Sequence, residues 1–134
     1  MKRVLIIDDS TDLVALLKLK LARAGFEARG AFDGMYGMTE ALRFTPDLII
    51  LDLNFPAGGG ISVLARLKTN LLTKTIPVLI LTGVEDENIE KEALHLGAEG
   101  YLLKPTKPKE VIDMVQKLMA AHTASRCSER RSSD

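Results

Sequence analysis

The chain has 134 residues, enough for one domain around one core, and its 18 Lys plus Arg balance 18 Asp plus Glu. That balance excludes a global field drawing the protein to nucleic acid or to an anionic membrane, so neither partner is expected. The apolar runs fall far short of the ~18 residues of a membrane span, the start MKRVLIIDD does not suit a signal peptide, and the single Cys127 suits a reducing compartment, so a cytoplasmic protein is expected.

Along the chain, short apolar runs alternate with amphipathic stretches. Val4 to Ile7 reads as a first strand and ends in Asp8-Asp9-Ser10. Asp12 to Ala24 then places Leu13, Leu17 and Leu21 on one helical face, and Gly25 stops it. Phe26 to Phe32 is a second strand. Gly34 to Phe44 is a weaker helix ending ahead of Pro46, whose ring disfavours helix in the residue before it. Leu48 to Leu51 is a third strand, closed by Asp52, and Ile61 to Leu72 a third helix. Val78 to Leu81 runs into Thr82, and Asp86 to Leu96 starts with acids suited to the positive end of a helix. Gly100 to Leu103 precedes Lys104-Pro105, and Pro108 suits the first turn of a last helix bearing Val111, Val115, Leu118 and Met119. From residue 122 the text HTASRCSERRSSD loses periodicity, so residues 1–121 are read as one domain and 122–134 as a flexible polar tail.

Strands that are apolar throughout are buried on both faces, and helical crossovers make them parallel. The fold class is therefore a doubly wound α/β sheet. In such a sheet all strand C-termini open on one edge, where ligands bind. If the first, third and fourth strands are neighbours, Asp8, Asp9, Asp52, Thr82 and Lys104 meet there. Converging carboxylates repel unless a cation joins them, and oxygen donors without His or Cys nearby select a hard ion, Mg2+ above others. Acids after a strand also serve simply as helix caps, an alternative that Asp8-Asp9 alone leaves open. With the metal, Asp52 suits attack on phosphorus, Lys104 the neutralisation of phosphate oxygens and Thr82 a hydrogen bond to them. His95 and His122 have no partner at useful spacing and read as surface residues. Gly58-Gly59-Gly60 lacks the lysine-hydroxyl ending of a P-loop and reads as a loose turn.

IIDDS, DLIILDLNFPAGGGISVL, PVLILTG and GAEGYLLKP resemble, in order and spacing, the receiver domain of bacterial two-component response regulators. The resemblance covers about residues 2 to 121. It implies a flavodoxin-like sheet of five strands in the order 2-1-3-4-5 with five helices, in a stand-alone receiver similar to chemotaxis regulators. It further implies that Asp52 accepts a phosphoryl group from a sensor histidine kinase or phosphotransfer protein. Asp8, Asp9, Asp52 and the main-chain carbonyl of Asn54 then hold Mg2+, with Asp9 binding directly and Asp8 through water. Thr82, Lys104 and Tyr101 form the switch, the Lys104-Pro105 bond is cis, and a downstream protein reads the face of the fourth helix, fifth strand and fifth helix.

On this reading the protein is no enzyme beyond self-catalysed phosphotransfer and slow autodephosphorylation, and it is a monomer or a phosphorylation-dependent dimer. Four positions depart from the family's commonest pattern. Phe55 replaces Met before Pro56, Gly83 replaces Ala and makes its loop more pliable, and Thr106-Lys107 leaves the last helix without an acidic cap. Two other functions remain to be weighed. One is a Mg-dependent phosphatase of the haloacid dehalogenase type, which lacks its second acid because position 54 is Asn54. The other is a binding module indifferent to phosphate.

Overall fold

The computed structural model describes residues 1–54 and 59–132, with side chains through residue 122. Five strands alternate with five helices: β1 Arg3–Ile7, α1 Thr11–Arg23, β2 Glu27–Ala31, α2 Gly34–Phe44, β3 Leu48–Leu51, α3 Gly59–Thr69, β4 Val78–Thr82, α4 Glu87–His95, β5 Gly100–Leu103 and α5 Pro108–Ser132. The strands form one parallel sheet in the order β2-β1-β3-β4-β5, the expected flavodoxin-like arrangement. β1, β3 and β4 lie in its middle, and their side chains are buried on both faces apart from Arg3. This is why they read as unbroken apolar runs.

The pleat divides each strand between two cores. Leu5, Ile7, Ile49, Leu51, Val78 and Ile80 face α2, α3 and α4. Val4, Ile6, Leu48, Ile50, Leu79 and Leu81 face α1 and α5, which supply Val14, Leu17, Leu21, Val111 and Val115. Register brings the site together. Ile7 pairs with Leu51, and Leu51 with Ile80, so the residues that follow them emerge together at one edge of the sheet.

Helix ends differ from the sequence reading in three places. α3 stops at Thr69, short of Leu72, because the Asn70 side chain accepts the Leu72 N–H at 2.8 Å and the buried Thr73 hydroxyl donates to the Leu67 carbonyl at 2.7 Å. Local side-chain bonds thus replace the helical ladder. At the other end of α3, Gly60 sits where an added Cβ would lie 2.2 Å from the Leu53 Cα, so this glycine belongs to a close backbone contact and not to a loose turn; Gly58 of that expected turn, like Phe55, lies outside the described residues. α5 continues through the segment expected as a polar tail, to Ser132. No Gly or Pro follows Pro108, and Ala, Arg and Glu favour helix, so nothing local ends it at 121. Its start lacks an acidic cap, as expected, and the Thr106 hydroxyl donates to Glu110 at 2.6 Å instead.

Candidate phosphoryl-acceptor and metal site

The backbone fixes the acids before their side chains act. The Asp8 N–H donates to the Ala31 carbonyl and the Asp52 N–H to that of Ile7, each at 3.0 Å, which extends the sheet by one residue past the ends of β1 and β3. Each acid then folds one carboxylate oxygen back on its own loop. Asp8 Oδ1 accepts from the Ser10 N–H at 2.9 Å, and Asp52 Oδ1 from the Asn54 N–H at 3.0 Å. These bonds leave each Oδ2 aimed into the cleft, where Lys104 Nζ reaches Asp8 at 2.8 Å and Asp52 at 3.1 Å.

Asp8 and Asp52 are 2% and 3% exposed, whereas Asp9 is open to solvent. Carboxylate oxygens of all three lie within 4.8 Å of one another. Three carboxylates against one ammonium leave two negative charges, which a divalent cation would cancel. The donors are hard oxygens, with no imidazole or thiolate among these three residues, and this set fits Mg2+. The cap of α1 is Ser10, whose hydroxyl accepts the Leu13 N–H at the start of the helix.

Burial works against the charge on Lys104, but the bonds to Asp8 and Asp52 outweigh it and hold the ammonium above its ordinary pKa. Lys104 is therefore a fixed cation. Its backbone N–H donates to the Thr82 carbonyl at 2.8 Å, which carries the β4–β5 ladder past Leu103. The Lys104-Pro105 bond is cis, as expected.

Thr82 is fully buried, and its hydroxyl accepts the Val84 N–H at 3.3 Å, keeping its own O–H for donation. Tyr101 is half-buried against the core, and its hydroxyl donates to the Val84 carbonyl at 2.8 Å. The two expected switch residues thus hold the main-chain N–H and carbonyl of one residue. Val84 was not legible in the sequence because it acts through its main chain; its position two residues after Thr82 is the available signal. Gly83 has no steric need to be glycine, since an added Cβ would meet nothing within 4 Å. His95 is exposed and His122 half-buried, both apart from the acidic cluster.

The family model for the response regulator receiver domain matches residues 4–116. Among curated proteins, the chain is 37% identical over 119 residues to the DNA-binding dual master transcriptional regulator RpaA of Synechocystis, covering 89% of this chain and 49% of that protein. It is 36% identical over 118 residues to the alkaline phosphatase synthesis transcriptional regulatory protein PhoP of Bacillus subtilis, covering 88% and 48%. The chain thus spans about half the length of the curated relatives it matches. Among solved structures, the chemotaxis protein CheY4 of Vibrio cholerae superposes with a TM-score of 0.81 at 30% identity, covering 87% of this chain and 98% of that one. The receiver domain of the Francisella response regulator 1452 gives 0.82 at 29%, covering 90% and 98%. Receiver domains are signalling switches rather than classical enzymes, and the chain belongs to the receiver-domain family of two-component response regulators.

Proposed function

We propose that Asp52 is the phosphoacceptor of a two-component relay and that its phosphorylation shifts the Thr82–Val84–Tyr101 segment, changing what binds α4, β5 and α5. The observation that supports this most is the cleft itself. Asp52 Oδ2 is one of two buried carboxylate oxygens facing a shared ammonium, at the one sheet edge where β1, β3 and β4 end together.

In the transfer, an Asp52 carboxylate oxygen forms a bond to phosphorus as the bond from phosphorus to the donor's imidazole nitrogen breaks, and the imidazole leaves with the electron pair. Lys104 stays protonated and turns from Asp52 to a phosphoryl oxygen, and the Thr82 O–H donates to another. Asp8, Asp9, Asp52 and the Asn54 carbonyl would hold Mg2+, which when bound neutralises charge gathering on the phosphoryl oxygens. The Asn54 N–H bond to Asp52 keeps the acceptor's second oxygen occupied and its rotamer fixed. The donor is a histidine kinase or phosphotransfer protein, the protein works without direct nucleic-acid contact or a membrane, and residues 122–134 serve as an appendage to a receiver spanning 1–121. Among the described residues no helix is long and apolar enough to cross a membrane.

Intact-mass spectrometry after treatment with a small phosphodonor and Mg2+ tests the assignment. One phosphoryl group adds to the parent and none to Asp52→Asn. Undiminished labelling of Asp52→Asn would refute the acceptor.

A further inference from the structure

α2 carries large apolar side chains on its outer side as well as on its inner one. Its inner side buries Gly37, Glu40, Ala41 and Phe44. Its outer side carries Met35 at 78% exposure, Tyr36 at 48% and Leu42 at 40%, and Phe32 ahead of the helix adds 46%. Helical spacing gathers Met35, Tyr36, Thr39, Leu42 and Arg43 within about 60° on either side of Thr39, so they form one stripe. The helix has two charged residues, and one of them, Glu40, is turned inward to Arg29. A continuous, nearly uncharged stripe of large side chains marks a surface made to be covered.

The stripe is self-complementary. Two antiparallel copies of α2 related by a two-fold axis at Thr39 place Thr39 against Thr39, Tyr36 against Leu42, and Met35 against Arg43. The same operation brings Arg43, exposed at one end, toward Asp33, the exposed N-cap at the other end of the second helix. Each two-fold contact therefore has its own pair of opposite charges bracketing an uncharged centre, with Thr39 on the axis and Tyr36 and Leu42 beside it, and no like charges facing each other. We propose that the protein forms a symmetric dimer through α2, with a second copy of this chain as the occupant of the stripe. α2 lies at the β2 side of the sheet, away from Thr82 and Tyr101 on β4 and β5, so this dimer forms whether or not Asp52 carries a phosphoryl group.

Sedimentation equilibrium with and without beryllofluoride provides the test. The parent dimerises equally in both conditions, and Leu42→Glu, which sets a charge against the partner's Tyr36, weakens the dimer by about tenfold or more. Leu94→Glu, at an exposed leucine on α4, leaves it unchanged, and matching thermal midpoints confirm that each variant is folded. In a Cys127→Ser background, Thr39→Cys oxidises to a disulfide-linked dimer and Lys109→Cys does not. A parent that stays monomeric, a dimer that survives Leu42→Glu, or one that requires beryllofluoride would overturn the proposal.

Discussion

α2 and α4 cover the same face of the sheet on either side of α3, yet they are held in different ways. α2 is fastened at several points. Gly37 lets it close on Ile7, Glu40 pairs with Arg29 at 3.4 Å, and the guanidinium groups of Arg3 and Arg29 lie 5.4 and 4.6 Å from the centre of the Phe44 ring. Arg3 also donates to the Phe44 carbonyl at 2.9 Å, which satisfies the end of the helix. α4 fully buries Ala93 alone, with Ile89 and Leu96 partly covered. β5 beside it has no fully buried residue. Segments with little buried apolar surface open at the lowest free-energy cost. A change at the acidic site is therefore expected to spread toward α4 and β5, with α2 staying in place.

The largest test of this contrast is a pair of truncations. Phe44→Ala removes a 2%-exposed ring together with two cation–π contacts and is expected to cost about 3–5 kcal/mol of unfolding free energy. Ile89→Ala on α4 is expected to cost about 1 kcal/mol. Urea denaturation of both variants checks this, and equal losses would show that the two helices are held alike.

The middle strands and the site acids were legible in the sequence because one physical fact governs each. A strand buried on both faces must be apolar throughout, and the polar residue that ends it must sit at the sheet's edge, so spacing put Asp8, Asp52 and Thr82 at strand ends, while their meeting in one cleft rested on the strand order that the family resemblance implies. Glu40 was less visible, since a charge in a helix normally faces water. Its spacing from Gly37, Ala41 and Phe44 does put it on the buried face, and Arg29 on β2 is the partner that makes burial affordable. Gly60 was misread because its reason is a backbone contact to Leu53 that no local pattern encodes. Nor does any local pattern encode the role of Lys68, whose ammonium bridges the Ile76 carbonyl at 3.0 Å and Glu99 at 2.7 Å, while Glu99 in turn accepts the Val78 N–H at 2.6 Å. That knot joins α3, β4 and β5 across 31 residues of sequence. The end of α3 and the length of α5 escaped for a simpler reason: helix termini turn on single side-chain bonds or on the lack of a stop.

A smaller effect is expected at the link between the site and α4. Thr82→Ala removes the acceptor for the Val84 N–H, a bond worth about 1 kcal/mol, and leaves Asp52 and Lys104 in place. The variant is expected to take up phosphate and to show much weaker phosphate-dependent NMR shifts at Tyr101 and along α4, with α2 silent in both proteins. Shifts as large as the parent's would remove Thr82 from the link, and shifts of equal size on α2 and α4 would remove the contrast itself.

The finest test is the ionisation of Tyr101. Burial raises its pKa above the ordinary 10.0, and the negative charges of Glu90, Asp86 and Asp52 add to the effect in that order. Two of these acids flank the start of α4, so the tyrosine reports how closely that helix sits. Because the folded value lies above the unfolded one, folding favours the neutral phenol. The resulting stabilisation is complete below the unfolded value and is lost as pH rises through the folded one. In a Tyr36→Phe background, which leaves one tyrosine, the phenolate ultraviolet absorbance is expected to appear only above the ordinary range. Glu90→Gln should lower the midpoint and still leave it raised, since burial is the larger cause. Removing the phenol with Tyr101→Phe should flatten the loss of stability that sets in as pH rises above the ordinary 10.0 and through the raised folded value. An ordinary midpoint would mean that α4 and β5 stand open enough to hydrate the ring, and that the Val84 carbonyl does not hold it.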